Sequence, residues 1–380
     1  MAHPNKIYCV VMRGGTSKAL FFKENDLPKD RAERNRVILR AMGSPDRRQI
    51  DGLGGSKSST SKTAVISVSD REDSDIDYDF GQVSVDMPII GWDNCCGNIS
   101  SAVGPYAIDE GLVNAVEPIT TVRIYNIDTN KRIIAHVPVK DGKTLYKGDY
   151  SIDGVPGTAS RIDLDFIRPQ GAVSGKVLPT GNVVDEVVVD GKVYHASLVD
   201  AANPFIFVRA SELGLKGTEL PWEYEALPDA PRINRIVEAI RCWGAFQLGF
   251  VDVPEKATKE RPVLPKIGFY TGPVGYIDGA GREQKPDTYD ITGRLFSMGK
   301  LIDAYMGTGT VCTMVAANIE GTIINQIVSE HRQAPFHELK IGHPFGIIDV
   351  KASFDENGEL ESATLGRTAR RIMEGYVNVD

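Results

Sequence analysis

Long apolar runs are missing from this sequence. No stretch approaches the roughly 20 apolar residues of a membrane span, so no membrane partner is expected. The opening residues, Met1-Ala2-His3-Pro4-Asn5-Lys6, lack the apolar core of a secretory signal, and a cytoplasmic location is expected. Cysteine is scarce and odd in number: five residues, Cys9, Cys95, Cys96, Cys242 and Cys312. Their spacing forms no framework, which argues against a disulfide scaffold. The six histidines are scattered, with no two at helical metal-ligand spacing, so no metal site is expected. An excess of positive charge is also lacking. The net charge is −8 and the longest basic cluster, residues 367–371, is short. That excludes nucleic acid as an expected partner, because phosphate contacts need clustered Lys and Arg. The glycine loops match neither the P-loop spacing nor a dinucleotide fingerprint, and no cofactor is expected.

What is present suits a two-domain globular protein. The chain has 380 residues, 42% hydrophobic and 25% charged, enough for two cores of ordinary size. A strand is predicted over residues 7–12. It runs into the polar glycine turn Arg13-Gly14-Gly15-Thr16-Ser17-Lys18 and a second strand over 19–22. The helix after it is well marked: Asp30 as cap, Glu33 for a capping box, Val37, Ile38 and Met42 as stripe, and Gly43 as stop. A glycine- and serine-rich loop then leads to Thr60-Ser61-Lys62. Strands are predicted over 65–68 and through the alternating Val83, Val85 and Met87. Hairpins should turn near residues 128–130 and at Asp190-Gly191, the second with a type I′ signal. A helix begins near Asp229 and Pro231, and residues 278–290 read as a surface loop.

Two glycine-to-helix junctions stand half a chain apart. Asn94-Cys95-Cys96-Gly97-Asn98 precedes Ile99, Val103 and Ala107; Gly307-Thr308-Gly309-Thr310 precedes Val311, Met314, Val315 and Ile319. Strand pairs are expected after each, over 122–139 and 322–350. This internal repeat predicts two similar domains with both junctions facing one cleft. Helix N-termini favour anions, and Asn98, Thr308 and Thr310 add donors. A glycine turn alone carries no such function. Cys96, at its helix end, would have its thiolate stabilised, though a free cysteine is more often a buried structural residue. Lys62 stands at a strand mouth, where partial desolvation would free an amine base; by itself a loop lysine is ordinarily solvated.

Taken together, these motifs resemble one family. They are Met12-Arg13-Gly14-Gly15-Thr16-Ser17-Lys18, Gly43-Ser44-Pro45-Asp46, Gln49-Ile50-Asp51-Gly52, Thr60-Ser61-Lys62, Cys96-Gly97-Asn98, Ala202-Asn203-Pro204 and Gly366-Arg367-Thr368-Ala369-Arg370-Arg371-Ile372-Met373. The colinear set is similar to the PrpF family, isomerases of methylaconitate, methylitaconate, oxalomesaconate and aconitate. The resemblance implies an α+β fold of diaminopimelate epimerase type. Two pseudo-symmetric domains, here 1–185 and 186–380, would each be a curved, mostly antiparallel sheet around a central helix. It implies Lys62 and Cys96 as catalytic groups. Arg13, Gly14, Thr16, Ser17, Ser61, Gly97, Asn98, Asn203, Met306, Thr308, Gly309 and Thr310 would bind substrate.

Epimerases of that fold use a cysteine before each junction. Cys96 matches the first; Met306 stands at the second and cannot do acid–base work, while Cys312 lies further into the helix. The resemblance therefore implies a cofactor-independent 1,3-allylic proton shift, or a cis–trans isomerisation, of a small unsaturated polycarboxylic acid. Lys62 would be base and Cys96 acid, or the reverse. Substrate signatures conflict: residues 58–62 favour the methylaconitate branch, residues 97–100 and 108–111 the Δ-isomerase branch. An amino-acid epimerase, a non-catalytic tricarboxylate binder and a Cys96 hydrolase using His136, His195 or His343 are the alternatives. A homodimer is left open.

Overall fold

The computed structural model describes residues 6–380. It forms two compact units. One holds the described residues of Met1–Asp165 together with Gly366–Asp380; the other is Phe166–Leu365.

The first unit opens with an antiparallel hairpin of β1 (Lys6–Gly14) and β2 (Ser17–Lys23), closed by Gly14 opposite Ser17. Helix α1 (Arg31–Met42) begins where Asp30 accepts the Glu33 N–H and ends at Gly43, whose φ is 77°. Strand β3 (Lys62–Val68) lies parallel to β2, with Lys62 opposite Ala19. The antiparallel β4 (Ile76–Val83) follows, and β5 (Ile90–Gly91) pairs with its end. After α2 (Gly97–Asp109), β6 (Ile119–Asn126) returns parallel to β4 and turns into β7 (Lys131–Lys140). Strand β8 (Lys143–Thr144) and β9 (Ile162–Ile167) both pair with β7.

Two helices cover this sheet differently. Helix α1 is amphipathic, and Val37, Ile38, Ala41 and Met42 pack on Val11, Leu20, Phe22 and Val65. Helix α2 is buried on every side from Gly97 to Ile108. Its small residues allow that: a Cβ added at Gly104 would stand 2.7 Å from Val137 Cγ2. Its hydroxyls stay satisfied inside the helix, Ser100 Oγ donating to the Cys96 carbonyl and Ser101 Oγ to that of Asn98.

The second unit repeats the order. Strands β10 (Asp185–Val189) and β11 (Lys192–Ala201) form the expected hairpin, with φ of 51° at Asp190 and 76° at Gly191. Antiparallel β12 (Asn203–Arg209) follows, then α3 (Pro221–Glu225), α4 (Ala230–Gln247) and α5 (Ala257–Glu260). Strand β13 (Lys266–Thr271) runs parallel to β12. A small hairpin, β14 (Tyr276–Ile277) with β15 (Glu283–Gln284), precedes β16 (Ile291–Ser297), antiparallel to β13, and β17 (Lys300–Leu301). Helix α6 (Gly307–Ala317) is buried along its whole length, and α7 (Ile323–Ser329) follows it. Then come β18 (Glu338–His343), parallel to β16, β19 (Gly346–Phe354) and β20 (Leu360–Arg367).

Thus β1, β2, α1, β3, β4, β5, α2, β6 and β7 correspond to β11, β12, α4, β13, β16, β17, α6, β18 and β19, with the same parallel or antiparallel sense at each pairing. Each unit is a mostly antiparallel sheet with one wholly buried helix, as the fold class required. Where β10 flanks β11, the strand flanking β1 is β21 (Ala369–Asn378), which pairs Asn378 with Lys6. Residues 366–380 therefore belong to the first unit, and the other division falls after Asp165 rather than at 185.

Three local expectations fail. The strand placed through Val83, Val85 and Met87 is β4, ending at Val83; beyond it, Ser84 N–H bonds the Ile89 carbonyl in a tight turn. The aspartates of β4 obscured it, yet Asp79 is buried beside Arg31 and Arg34. The loop at 278–290 holds β15 and a buried Asp278, which accepts the N–H groups of Ala280 and Arg282. The pair placed at 322–350 starts later, because Thr322 caps α7 by accepting the Asn325 N–H.

Candidate active site

The β1–β2 turn and the start of α2 are built against each other. Gly15 has φ 50°, and a Cβ there would fall 2.1 Å from Asn98 Oδ1; a Cβ on Gly14 would fall 2.5 Å from the Asn98 carbonyl. Only glycine allows that approach. Asn98 and Thr16 bond reciprocally: Asn98 Nδ2 donates to Thr16 Oγ1 at 3.1 Å, and Thr16 N–H to Asn98 Oδ1 at 3.4 Å. Arg13 Nη1 donates to the carbonyls of Gly15 and Thr368 and to Thr368 Oγ1, at 2.9, 3.0 and 3.0 Å. Burial first, and Arg370 next, hold its guanidinium below the ordinary value.

Lys62 heads β3 and is 8% exposed. Val65 faces the α1 core, so alternation turns Lys62 and Ala64 toward α2. The Lys62 ammonium donates to Gln82 Oε1 on β4 and lies 5.3 Å from the Phe80 ring centroid. Gln82 is itself fixed, its amide donating to the carbonyls of Ser58 and Ser61. Ser61 Oγ donates to Gln49 Oε1 at 2.8 Å, and that oxygen also takes the Ser56 N–H. Burial lowers the Lys62 pKa; the nearby Cys96 charge pulls it partly back. Ser17 is buried at the start of β2, on the strand that pairs with Lys62.

Cys96 is the N-cap of α2, in extended conformation, and its Sγ accepts the Ile99 N–H at 3.5 Å. It is half-buried, whereas its neighbour Cys95 is buried, 3.7 Å from Ser100 Oγ, with its thiol pKa pushed up by burial. Gly97 and Asn98 form the first turn beyond the thiol. The first unit thus gathers Arg13, Gly14, Thr16, Ser17, Ser61, Lys62, Cys96, Gly97 and Asn98. Chemically, this is a buried amine and a half-buried helix-end thiol, beside backbone and amide donors.

In the second unit Met306 is the N-cap of α6, half-buried, and its side chain makes no capping bond. Asn203 follows Ala202, whose φ is 58°, and Asn203 Nδ2 donates to Thr308 Oγ1 at 3.2 Å. The Thr16–Asn98 contact is thus repeated with the amide and hydroxyl exchanged. Gly309 packs on Phe205, 3.1 Å from where its Cβ would stand. Thr310 Oγ1 donates to the Met306 carbonyl at 3.0 Å, so its proton serves the helix. Gln82 was missed in the sequence and carries no local signal, since it acts through residues distant in the chain; Gln49 stood in the motif Gln49-Ile50-Asp51-Gly52, but its bond to Ser61 was not foreseen.

A sheet-wrapped helix repeated in two units defines the epimerase-like fold class. A solved hydroxyproline epimerase from Agrobacterium vitis shares it, with TM-score 0.57 at 11% identity over 100% of this chain and 94% of that one. The chain belongs to the PrpF protein family, whose model matches residues 4–380. It is 45% identical to a 3-methylitaconate isomerase of Eubacterium barkeri over 100% of this chain and 99% of that protein. A 2-methyl-aconitate isomerase of Shewanella oneidensis is 38% identical, over 98% and 97% respectively. The crystal structure of a methylitaconate-delta-isomerase superposes with TM-score 0.79 and 46% identity, covering 98% of this chain and 95% of that one.

Proposed function

We propose that this chain is an isomerase of a small unsaturated polycarboxylic acid, moving a proton along an allylic system with Lys62 and Cys96. The observation that carries this reading is the buried Lys62 at the head of β3, its ammonium held by Gln82 on the sheet face turned toward α2, the helix whose N-cap is the Cys96 thiol. One group removes the proton from the carbon next to the double bond. The electron pair spreads into the conjugated carboxylate as a dienolate, and the far carbon receives a proton from the other group. Nothing is oxidised, and the product is an isomer. Rotation of the same dienolate before reprotonation gives a cis–trans outcome. Free N–H groups at the start of α2 and the Asn98 amide suit the growing negative charge. Arg13, Thr16, Ser17 and Ser61 stand in the same unit and suit substrate binding, and Asn203, Met306, Thr308 and Gly309 hold the corresponding positions at and beside the start of α6.

Similarity to the Eubacterium barkeri protein makes 3-methylitaconate the first acid to test, and the Shewanella oneidensis relative makes 2-methylaconitate the second. An amino-acid epimerase has weaker support, because Met306 offers no second thiol. The test is NMR in deuterated water with both acids, aconitate and oxalomesaconate. Wild type should exchange the allylic proton and form the isomer. Lys62→Met and Cys96→Ala should each slow turnover by roughly 10²–10⁴-fold. Near wild-type rates in both variants would overturn the assignment.

A further inference from the structure

Strand β4 carries two chemically different faces. Asp77 and Asp79 lie on one, where Arg71 and Arg31 meet them. Tyr78, Phe80 and Gln82 alternate onto the other, which is the face that Lys62 shares. Val83 N–H bonds the Ser61 carbonyl, so Lys62 and Gln82 form the adjacent pair without mutual backbone bonds, whose side chains stand closer. Both are buried, and among the described residues the acceptor that the Lys62 ammonium meets is Gln82 Oε1. The strand thus gives its carboxylates to arginines and meets the lysine with a neutral amide.

That amide can point only one way. Gln82 Nε2 donates to the carbonyls of Ser58 and Ser61 at 3.1 and 3.0 Å, with the Val83 carbonyl at 3.4 Å. A carbonyl cannot donate and an ammonium cannot accept. Turning the amide over would set oxygen against oxygen and one donor against another. The loop that supplies the carbonyls is held in turn. Ser61 Oγ donates to Gln49 Oε1 at 2.8 Å, that oxygen takes the Ser56 N–H at 2.7 Å, and Gln49 Nε2 donates to Ser44 Oγ at 3.0 Å.

A locked neutral acceptor acts on a buried amine in two ways. In the amine form one N–H stays on Oε1, which confines the lone pair to directions away from Gln82. In the ammonium form the oxygen offers a bond without a negative charge, so the proton can still leave; a carboxylate would hold it. Other titratable groups face Lys62 as well. Strand β2 turns Ala19 and Phe21 to this side, β4 adds Tyr78, and α2 brings Cys95, Cys96 and, against Phe21, Tyr106. Burial pushes the protons of Tyr78, Cys95 and Tyr106 up, which keeps them neutral. Cys96 is the group whose charge bears on the lysine. We propose that Gln82 is a positioning residue for Lys62: its locked, neutral oxygen aims the amine and leaves it free to exchange a proton, as a carboxylate there would not. This inference rests on the isomerase reading above. As the amine, Lys62 takes a proton onto its lone pair; as the ammonium, it returns one. No other bond at nitrogen changes.

The test uses the full chain as wild type, Gln82→Met, Gln82→Asn and Gln82→Glu, labelled with carbon-13 at lysine Cε. The Lys62 resonance, identified by its loss from Lys62→Met, is titrated with pH. Exchange of 3-methylitaconate in deuterated water is followed over the same range. Gln82→Met keeps the bulk and removes the acceptor. Lys62 should then release its proton at lower pH, and turnover should fall by roughly 10–100-fold with KM little changed. Gln82→Glu should move the Lys62 titration, and the limb of the rate profile that follows it, up by about 1–3 on the pH scale. At its own optimum it should keep more turnover than Gln82→Met, because an acceptor remains. Where Gln82→Met does not fold, Gln82→Asn, whose shorter amide withdraws the oxygen, is read by the same criteria. A Lys62 titration matching wild type in the folded variant would overturn the proposal. So would a raised KM at undiminished turnover, which would make Gln82 a substrate contact. A wild-type chain that exchanges none of the acids would defeat the isomerase reading, and the Lys62 titration would still decide whether Gln82 governs that amine.

Discussion

Burying a lysine disfavours its charged form, and Lys62 shows what that does to stability as well as to chemistry. Its pKa is lowered by desolvation, with Cys96 opposing in part. The unfolded chain holds that proton more tightly than the folded one. Folded Lys62 therefore carries a stability penalty that is full below its folded pKa and vanishes as pH rises past the ordinary value of about 10.4. Lys62→Met removes the group that bears the penalty. The melting midpoint of Lys62→Met relative to wild type should accordingly be most favourable near pH ~6 and decline toward pH ~10. A difference that stays constant across that range would mean that Lys62 carries no shifted proton. Met306 poses the opposite case, a side chain with nothing to titrate. Half-buried and making no capping bond, it can act only through shape. Met306→Ala should raise KM or change substrate size preference while allylic exchange stays measurable. Stability should fall by less than the roughly 2–5 kcal/mol of a fully buried truncation. A large fall in melting midpoint with unchanged kinetics would place Met306 in the core instead.

At the scale of elements, the reactive groups depend on how closely a hairpin turn meets a helix end. Gly14→Ala would push a Cβ to 2.5 Å from the Asn98 carbonyl, which is helix backbone and cannot swing aside. The melting midpoint should drop by several degrees or more, for a cost of at least about 1 kcal/mol, and turnover should fall with it. An unchanged midpoint would show that α2 shifts freely. Much of this was legible in the sequence: Asp30 and Gly43 bounded α1, Asp190-Gly191 set a hairpin, and glycines after Cys96 and Met306 started the two buried helices. These signals are local, and local chemistry enforces them. Strand β4 was not legible, because Asp77 and Asp79 read as loop residues until Arg31 and Arg34, far away in the chain, neutralise Asp79. Gln82 hides in the same strand. Its function is to hold the Lys62 ammonium, and only the β3–β4 register reveals it.

On the scale of the whole molecule, β21 completes the first unit although it follows the second in the chain. Lys6 pairs with Asn378, so the outer ends of β1 and β21 lie side by side. Arg371 of β21 also pairs at 2.6 Å with Glu110, at the end of α2, and Lys23 meets the same carboxylate at 2.8 Å. A permuted chain that joins these ends by a short linker and opens between the exposed Gly181 and Asn182 should fold and keep wild-type exchange activity. Its β21–β1 connection would then match the natural β10–β11 hairpin. Failure of the permutant to fold, measured by circular dichroism and melting, would mean that the original connection is itself required. The pairing has a further consequence for biosynthesis. Ribosomes make β1 early, yet all of the second unit must emerge before β21 does. Until then the earlier-made half keeps an open sheet edge and an unfinished core, available to chaperones. The later-made half can mature first. A nascent chain cut short within β21 would carry its defect in the unit begun before the second one, so the unit bearing Lys62 and Cys96 is completed only after the whole second unit has been translated.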